Sequence, residues 1–335
     1  MRLPDLLPWP GTRRLLCITA AALATLAAPA SGTEAAESAE SVGSVGSVGS
    51  VQGPSLRFFG YSMVDCGVRD RFWPSPKTNY VTEVASFSNV GQLCVFDPAE
   101  DIGARLALMR SNRMLALLSV QALFFTGTPD ATTGSGMRFS LRADHRQRWR
   151  AFIGRNRLHN RLDWIGAFYI ADEPAWNGIS AAELQQAADL VKSSFPSTPT
   201  MIIEAAPAID ALVVPASVDL VGFDRYGVPD PDTNPAYLAN LASLKARRSR
   251  PDQRIVIVME GQWLPAYDSP GHDETLMAMV AQRYHALAQG DPEVLAMLCY
   301  LWPGGFDDPR QKGSRNLPAA VIAEHVRIGR TITRK

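Results

Sequence analysis

Short apolar runs alternate with amphipathic stretches from residue 55 to the end of the chain. Each run is apolar nearly throughout rather than at every second position, which is typical of strands buried on both faces. The eight runs are residues 56–62, 90–96, 114–121, 164–171, 200–204, 218–224, 254–260 and 294–302. The pattern therefore predicts eight buried strands with other elements between them.

The stretches between the runs carry the signals of amphipathic helices. In residues 180–191, Ser180 and Glu183 form a capping box, in which each side chain accepts a hydrogen bond from a backbone N–H left free at the start of a helix. Leu184 and Val191 then belong to one apolar stripe, with two alanines between them. Helices of this kind between buried strands indicate an α/β fold.

Eight strands separated by helices predict a closed (β/α)8 TIM barrel, formed by residues 55–335 as a single catalytic domain. A doubly wound open sheet is the alternative. It is disfavoured because no Gly-x-Gly-x-x-Gly turn follows the first run. The connection at residues 126–140, between the third and fourth strands, is long and polar, and we expect it to form a lid or a cleft wall.

The first 30 residues resemble a secretory signal peptide. Arg13 and Arg14 precede an apolar run at residues 15–26, and Ala28-Pro29-Ala30 then offers a cleavage site. The apolar run is about a dozen residues long, too short to span a bilayer. The arginine pair loosely resembles a twin-arginine signal. We expect a secreted or periplasmic protein, and the alternative is an uncleaved anchor helix.

Residues 31–54 contain a Gly-Ser-Val repeat with no side chain large enough to build a core, so they are predicted to be a flexible linker. The whole chain carries 33 basic and 33 acidic side chains, with no evident basic patch, which argues against a nucleic-acid partner. Signal cleavage would leave a mildly acidic protein, suited to a neutral or cationic substrate. After cleavage we expect no membrane span and a monomer.

Three cysteines remain beyond the predicted signal peptide: Cys66, Cys94 and Cys299. An exported protein permits a disulfide. Cys66 and Cys94 lie on neighbouring predicted strands and are able to pair, while Cys299 lies on the last strand, which also adjoins the first strand in a closed barrel. Spacing leaves the pairing open, and three buried thiols are the alternative.

Two glutamates close buried strands that lie far apart in sequence. Glu173 ends the fourth predicted strand and Glu260 the seventh. The carboxyl ends of parallel barrel strands share one mouth, where a buried carboxylate is costly unless it is used or paired. A matched acid and nucleophile is the chemistry of glycoside hydrolysis.

Other polar and aromatic side chains end the predicted strands, and this mixture suits sugar rings and hydroxyl groups. The candidate substrate-binding residues are Tyr61, Asp172, Trp176, Glu204, Asp224, Tyr226, Trp263 and Trp302. Structural roles are the alternatives: Glu173 as a helix-entry carboxylate, Glu260 in an ion pair with Arg225, and Glu204 as a paired structural acid.

The order of these strand-end motifs resembles the clan A glycoside hydrolases, which are retaining enzymes on a (β/α)8 barrel. The motifs are Asp172-Glu173-Pro174, Glu260-Gly261 and Trp302, at the ends of the fourth, seventh and eighth strands. The resemblance implies that Glu173 is the general acid/base and Glu260 the nucleophile. It further implies that Tyr226 hydrogen-bonds to the nucleophile and that the Trp302 side chain forms the floor of the subsite that binds the reacting sugar.

Two positions depart from the family pattern. Asp172 stands where the family usually has asparagine, and Phe96-Asp97 stands where an arginine is common.

Taken together, the sequence predicts an exported glycoside hydrolase acting on an oligo- or polysaccharide. The alternatives are a sugar-binding barrel without catalysis and a hydrolase of another acetal or amide. The histidines form no metal-binding motif, so no metal and no cofactor are expected.

Overall fold

The computed structural model of the chain describes residues 55–74, 76–268 and 273–335. The predicted signal peptide at residues 1–30 and the predicted linker at 31–54 lie outside the described residues. Within them the secondary structure follows the order strand, helix, strand that the apolar runs predict.

Eight parallel strands close into a barrel, which confirms the predicted (β/α)8 fold. Together with two strands outside the barrel, the strands in chain order are β1 (Phe58–Asp65), β2 (Val90–Cys94), β3 (Leu115–Ser119), β4 (Phe125–Pro129), β5 (Met137–Leu141), β6 (Ile165–Asp172), β7 (Thr200–Ala205), β8 (Leu220–Asp224), β9 (Arg254–Glu260) and β10 (Val294–Tyr300). Around the barrel the order is β1-β10-β9-β8-β7-β6-β3-β2, and β4 and β5 form a separate two-stranded sheet. Strands β6 and β9, which carry the two candidate glutamates, are thus separated by β7 and β8.

Helices connect the barrel strands and pack around them. They are α1 (Val81–Val84), α2 (Gly103–Ser111), α3 (Gln121–Phe124), α4 (His145–Asn156), α5 (Ala181–Ser194), α6 (Pro235–Ala246), α7 (Met277–Gly290) and α8 (Ala319–Thr333). Short 3-10 turns lie at Leu158–Asn160, Leu162–Trp164, Ala206–Ala211, Pro265–Tyr267, Glu274–Leu276 and Ser314–Asn316. The capping box predicted at the start of α5 is present, with Ser180 and Glu183 bonded reciprocally. Among the described residues, no helix has the length and apolar character that crossing a membrane requires.

The hydrophobic core has two layers, which explains why the strands are apolar on both faces. The inner layer fills the barrel and consists of Val90, Leu117, Ala167, Tyr169, Met201, Ile203, Leu220, Val256, Val258, Ala296 and Leu298. The outer layer lies between the strands and the helices and contains most of the large aromatic side chains. Alternate residues of each strand therefore serve different layers, and only the inner-layer series leads to the barrel mouth.

The predicted lid or cleft wall at residues 126–140 is the antiparallel hairpin β4–β5. Its tip is fixed to the turn that follows β6: Gly134 N donates to the Trp176 carbonyl at 3.1 Å, and Phe139 N donates to the Asn177 carbonyl at 2.9 Å. The Trp176 indole packs so closely on Gly134 that a Cβ there would come within 2.2 Å of the ring. These contacts favour the wall over a mobile lid.

Cys66 and Cys94 form a disulfide that joins the end of β1 to the end of β2, with their Cα atoms 4.6 Å apart. The pairing is one of those the sequence left open. Cys299 is buried and free, and its Sγ lies 3.3 Å from the Ser314 hydroxyl. The disulfide closes a loop across a sequence separation of 28 residues, so it restricts the unfolded chain.

We expect the double variant Cys66→Ala/Cys94→Ala to lose about 3–4 kcal/mol of unfolding free energy, because a loop of this size gains conformational entropy when it is no longer closed. In a domain of this size the corresponding fall in Tm is roughly 10 °C. Thermal unfolding with and without dithiothreitol measures it. The reductant should lower the Tm of the wild type and leave that of the double variant unchanged; an unaffected wild type contradicts the prediction.

Candidate active site

Three acidic or aromatic side chains continue the inner layer of the barrel to its mouth. Asp224 ends β8, Glu260 ends β9 and Tyr300 ends β10, and each lies an even number of residues beyond an inner-layer position of its own strand. Because side chains alternate along a strand, all three face the barrel axis. Tyr300 and Glu260 are also direct neighbours in the pairing of β10 with β9.

An irregularity in β6 turns Asp172 toward the mouth. Tyr169 pairs with Met201 of β7, but the next pair is Ala171 with Ile202, so β6 has one extra residue here. Such a bulge shifts the alternation of all later side chains. Asp172 consequently pairs with Ile203, an inner-layer position.

Glu173 follows the bulge in a left-handed backbone conformation, with φ of 48°. Its backbone N–H donates to the Ile203 carbonyl at 2.6 Å. A non-glycine residue with positive φ is uncommon and needs surrounding contacts to hold it. Those contacts come from buried polar side chains around the turn formed by residues 172–177.

Gln121 and Asn177 hold the start of this turn. The Gln121 Oε1 accepts from the Asp172 N–H at 2.7 Å, and the Asn177 Nδ2 donates to the Asp172 carbonyl at 2.9 Å. Glu204 holds the remainder: it accepts from the N–H groups of Ala175 at 2.7 Å and Trp176 at 3.1 Å. The turn that carries Glu173 therefore has its backbone bonded to three side chains, two from other elements, Gln121 and Glu204, and one from the turn itself, Asn177.

Glu204 was predicted among the substrate-binding residues, but it lies beneath the turn and is 0% exposed. Besides the two turn N–H groups, its carboxylate accepts from its neighbour Ala205 N at 3.0 Å. Burial raises its pKa to about 7, and the three backbone donors oppose that rise. This geometry agrees with the alternative of a paired structural acid.

Six carboxyl groups crowd the mouth, and none forms an ion pair with a lysine or arginine of the described residues. They are Asp172, Glu173, Glu204, Asp224, Glu260 and Asp307. The pKa of Glu173 is raised well above its usual value, first by burial and then by Asp224, Asp172, Glu204 and Asp307. Mutual repulsion in a site of low polarity favours the protonated form of such groups. No group of metal-binding side chains capable of holding an ion occurs in the described residues.

Glu260 has a different environment from Glu173. It is 3% exposed, and its Oε2 accepts from Gly227 N at 2.8 Å. Burial raises its pKa to about 7, while the Tyr267 hydroxyl and the N–H groups of Gly227 and Val228 lower it. Its Oε1 has no hydrogen-bond partner among the described residues. Glu260 is thus surrounded by donors that stabilise its anion, with one oxygen left unbonded.

The tyrosines of the mouth take partly unexpected places. Tyr226 was predicted to bond to Glu260, but its hydroxyl lowers the pKa of Asp224, and its ring stacks on Tyr300 at 5.2 Å between centroids. The hydroxyl beside Glu260 is that of Tyr267. Tyr300 donates to Asp307 at 2.7 Å, so an aromatic pair and a carboxylate lie together on this side of the mouth.

The structure does not bring Tyr61 and Trp302 to the mouth. Because β1 extends to Asp65, Tyr61 lies within the strand, where it belongs to the outer layer and contacts His325 Nδ1 through its hydroxyl at 3.1 Å. Trp302 packs edge-on against Tyr61 at 4.8 Å between centroids, and its indole donates to Glu83 at 2.7 Å. Both rings serve the core between the barrel and its helices.

The remaining candidates lie around the rim. Trp176 is partly exposed between the hairpin and the Glu173 turn. Trp263 is mostly buried, and its indole donates to Asp268 at 3.0 Å. Arg225 points away from the mouth and donates to Asn240 of α6 at 2.5 Å, so it does not pair with Glu260.

Three residues of the mouth were missed by the sequence analysis: Tyr267, Tyr300 and Asp307. The sequence did indicate an inward-facing Tyr300, because this residue continues the alternation of Ala296 and Leu298. Tyr267 and Asp307 lie in loops after β9 and β10, where no periodicity indicates which side chains turn inward.

Comparison with solved structures relates the barrel to glycoside hydrolases. A glucosidase from Croceicoccus marinus matches with a TM-score of 0.55 and 13% identity over 84% of this chain and 67% of that one. Xylanase 10B from Thermotoga maritima matches with a TM-score of 0.50 and 13% identity, covering 84% and 97% of the two chains. Saccharomyces cerevisiae Gas2p, in complex with laminaritetraose and laminaripentaose, matches with a TM-score of 0.50 and 9% identity, covering 82% and 63%.

No family model matches the chain, and no curated protein matches it either. At these identities the likeness concerns the fold alone, and it agrees with the predicted (β/α)8 barrel. The chemistry of the site has to be argued from its own residues.

We expect the protein to unfold at a lower temperature at about pH 8 than at about pH 5. The pKa values of Glu204 and Glu260 are raised from 4.5 to about 7 in the folded protein. Between these values the folded protein retains protons that the unfolded chain has lost, so stability falls as the pH rises through this window. Full ionisation of each glutamate lowers the free energy of unfolding by about 3 kcal/mol.

Scanning calorimetry across this pH range measures the effect. The Glu260→Gln variant should have a flatter pH dependence, because one of the titrating groups is gone. A wild-type Tm that is equal or higher at about pH 8 contradicts the assignment.

We also expect Glu204→Gln to lower the pKa of Glu173, because it removes one of the negative charges that favour its protonated form. Titration of the ¹³C-labelled carboxyl groups by NMR measures this pKa, with Glu173→Gln identifying the signal. Glu324→Gln, on the distant α8, is the matched control and should leave the titration unchanged. The same Glu173 pKa in wild type and Glu204→Gln would show that Glu204 carries no charge that Glu173 senses.

Proposed function

We propose that the protein is a glycoside hydrolase of the retaining type, with Glu173 as the general acid/base and Glu260 as the nucleophile. The observation that carries the proposal is the contrast between the surroundings of two glutamates at the ends of β6 and β9, of which Glu260 is buried and Glu173 is half-buried. Glu260 is surrounded by hydrogen-bond donors, whereas Glu173 is surrounded by carboxyl groups. Environments that separate two carboxyl groups in this way are typical of an acid and a nucleophile that share one site.

The two steps of the reaction need Glu260 as an anion and Glu173 in its protonated form. Hydrogen-bond donors stabilise the Glu260 anion, and the carboxyl groups around Glu173 favour its protonated form. Glu260 attacks the anomeric carbon through its carboxylate, and the bond from that carbon to the leaving oxygen breaks as Glu173 donates its proton to the oxygen. Glu173, now ionised, takes a proton from a water molecule, which displaces Glu260 from the anomeric carbon. The water completes the sugar, and Glu173 regains its proton.

The surrounding side chains suit a sugar. The stacked rings of Tyr226 and Tyr300 and the partly exposed indole of Trp176 offer apolar faces. Asp172 is exposed, and its Oδ1 accepts a hydrogen bond from the Tyr169 hydroxyl. The solved structures that share the barrel include a glucosidase and a xylanase, which supports an oligo- or polysaccharide substrate here. The Cys66–Cys94 disulfide supports export to an oxidising compartment.

Substitution of each glutamate tests the proposal. We expect Glu173→Gln and Glu260→Gln each to lower kcat by a factor on the order of 10²–10⁴, measured as aglycone release from a panel of aryl glycosides. Azide should restore turnover of activated substrates by the Glu173 variant, because the acid is not needed for a good leaving group. Glu293→Gln, at the opposite end of the barrel before β10, is the control and should retain wild-type kcat.

Three results would count against the proposal. Near-full activity in either glutamine variant removes that residue from the mechanism. Glycan binding without turnover, unchanged by Glu260→Gln, favours a sugar-binding barrel without catalysis. Turnover without a covalent sugar on Glu260, tested with a mechanism-based glycosyl fluoride and mass spectrometry, favours a hydrolase that uses these acids in other roles.

A further inference from the structure

The loop after β1 exposes two adjacent aromatic side chains on the same side of the barrel as the candidate active site. Phe72 is 42% exposed and Trp73 is 49% exposed. Most other large aromatic residues of the described chain are buried, so this pair stands out. Adjacent exposed aromatic rings at a cleft rim are unfavourable in water and are a frequent sign of a binding surface.

Trp73 is held rigidly although it is exposed. The Arg315 guanidinium lies over its ring at 4.6 Å from the centroid. Arg315 is itself only 8% exposed, and it forms ion pairs with Asp70 at 2.9 Å and Glu83 at 2.9 Å. One face of the indole therefore rests on a buried cation that cannot move away, and the exposed surface of the ring is left to solvent.

Phe72 is fixed beside it by the loop that follows β10. Its backbone N–H donates to Asp70 Oδ1 at 2.8 Å, and its ring packs where Gly304 has no side chain: a Cβ there would lie 2.8 Å from the phenylalanine ring. The neighbouring Arg71 N donates to the Gly304 carbonyl at 3.4 Å. The aromatic pair is thus supported by the loop that carries Asp307 a few residues further on.

This connection places the aromatic pair within reach of the mouth. Asp307 bonds to Tyr300 at the end of β10. Asp307 lies three positions after Gly304, which is bonded to Arg71, and Trp73 lies two positions after Arg71. Even when fully extended, the path from Asp307 through Gly304 and Arg71 to Trp73 is roughly 25 Å long. A chain of several sugar units that occupies the mouth is able to extend to Trp73.

We propose that Trp73, with Phe72 beside it, is a distal binding platform for one ring of an extended glycan, so that the enzyme binds long chains more tightly than small glycosides. This inference rests on the proposed glycosidase function and specifies its substrate class. The apolar face of a sugar ring stacks on an indole, and an indole already fixed by Arg315 loses little freedom when the ring binds.

The test compares a long and a short substrate. We expect Trp73→Ala to weaken binding of soluble xylan or laminarin at least about tenfold, which corresponds to about 1.4 kcal/mol. Binding is measured by affinity electrophoresis in the Glu260→Gln background, so that turnover does not consume the ligand. The kcat/KM for an aryl monosaccharide glycoside, measured in otherwise wild-type protein, should not change. Trp73→Phe keeps an aromatic face and should retain most of the binding.

Leu238→Ala, another partly exposed apolar side chain but on α6, is the matched control and should bind the polysaccharide like its parent. The proposal is overturned if Trp73→Ala and Trp73→Phe both bind the polysaccharides like the parent, or if Trp73→Ala lowers kcat/KM for both substrates alike. It is also overturned if the parent binds neither polysaccharide. Polysaccharide binding that depends on Trp73, in a protein that turns over no glycoside, would support the binding platform and contradict the proposed glycosidase activity.

Discussion

The structure depends on how it accommodates buried carboxyl groups that have no cation beside them. A carboxylate taken from water into a protein has to be bonded to donors or has to keep its proton. Both solutions occur at the mouth of this barrel. Glu204 and Glu260 are bonded to backbone N–H groups, whereas Glu173 is left beside other acids that favour its neutral form. The geometry of the mouth follows from meeting these requirements side by side.

Glu204 shows how one acid serves another. Its carboxylate bonds to the turn after β6, and that turn holds Glu173 at a positive φ which the residue would not adopt alone. The same negative charge raises the pKa of Glu173. The position of Glu173 and its protonation are therefore coupled through the buried side chain of Glu204. A neutral substitute for Glu204 would relax both the position and the protonation of Glu173.

The fold was predictable from the sequence, and the candidate site was predictable in part. Continuous apolar runs require burial on both faces, and a closed barrel with helices outside provides it, so the strand count follows from the pattern. Glu173 and Glu260 were recognisable because a carboxylate that ends such a run is conspicuous. Tyr61 was misplaced because β1 continues to Asp65, and alternation then turns it to the outer layer. The bulge in β6, which turns Asp172 inward, has no signal in the residues around it.

Under the proposed function, the substrate is selected by the rim rather than by the pair of acids. Hairpin β4–β5 is bonded to the Glu173 turn through Gly134 and Phe139, so the wall and the acid form one rigid unit. On the other side, the loop after β10 joins Asp307 to the support of Trp73. Both walls are thus tied to residues of the mouth rather than hinged away from it. A cleft with fixed walls has little freedom to close around a small ligand, and a long chain that fills it from one wall to the other gains most from its preformed shape.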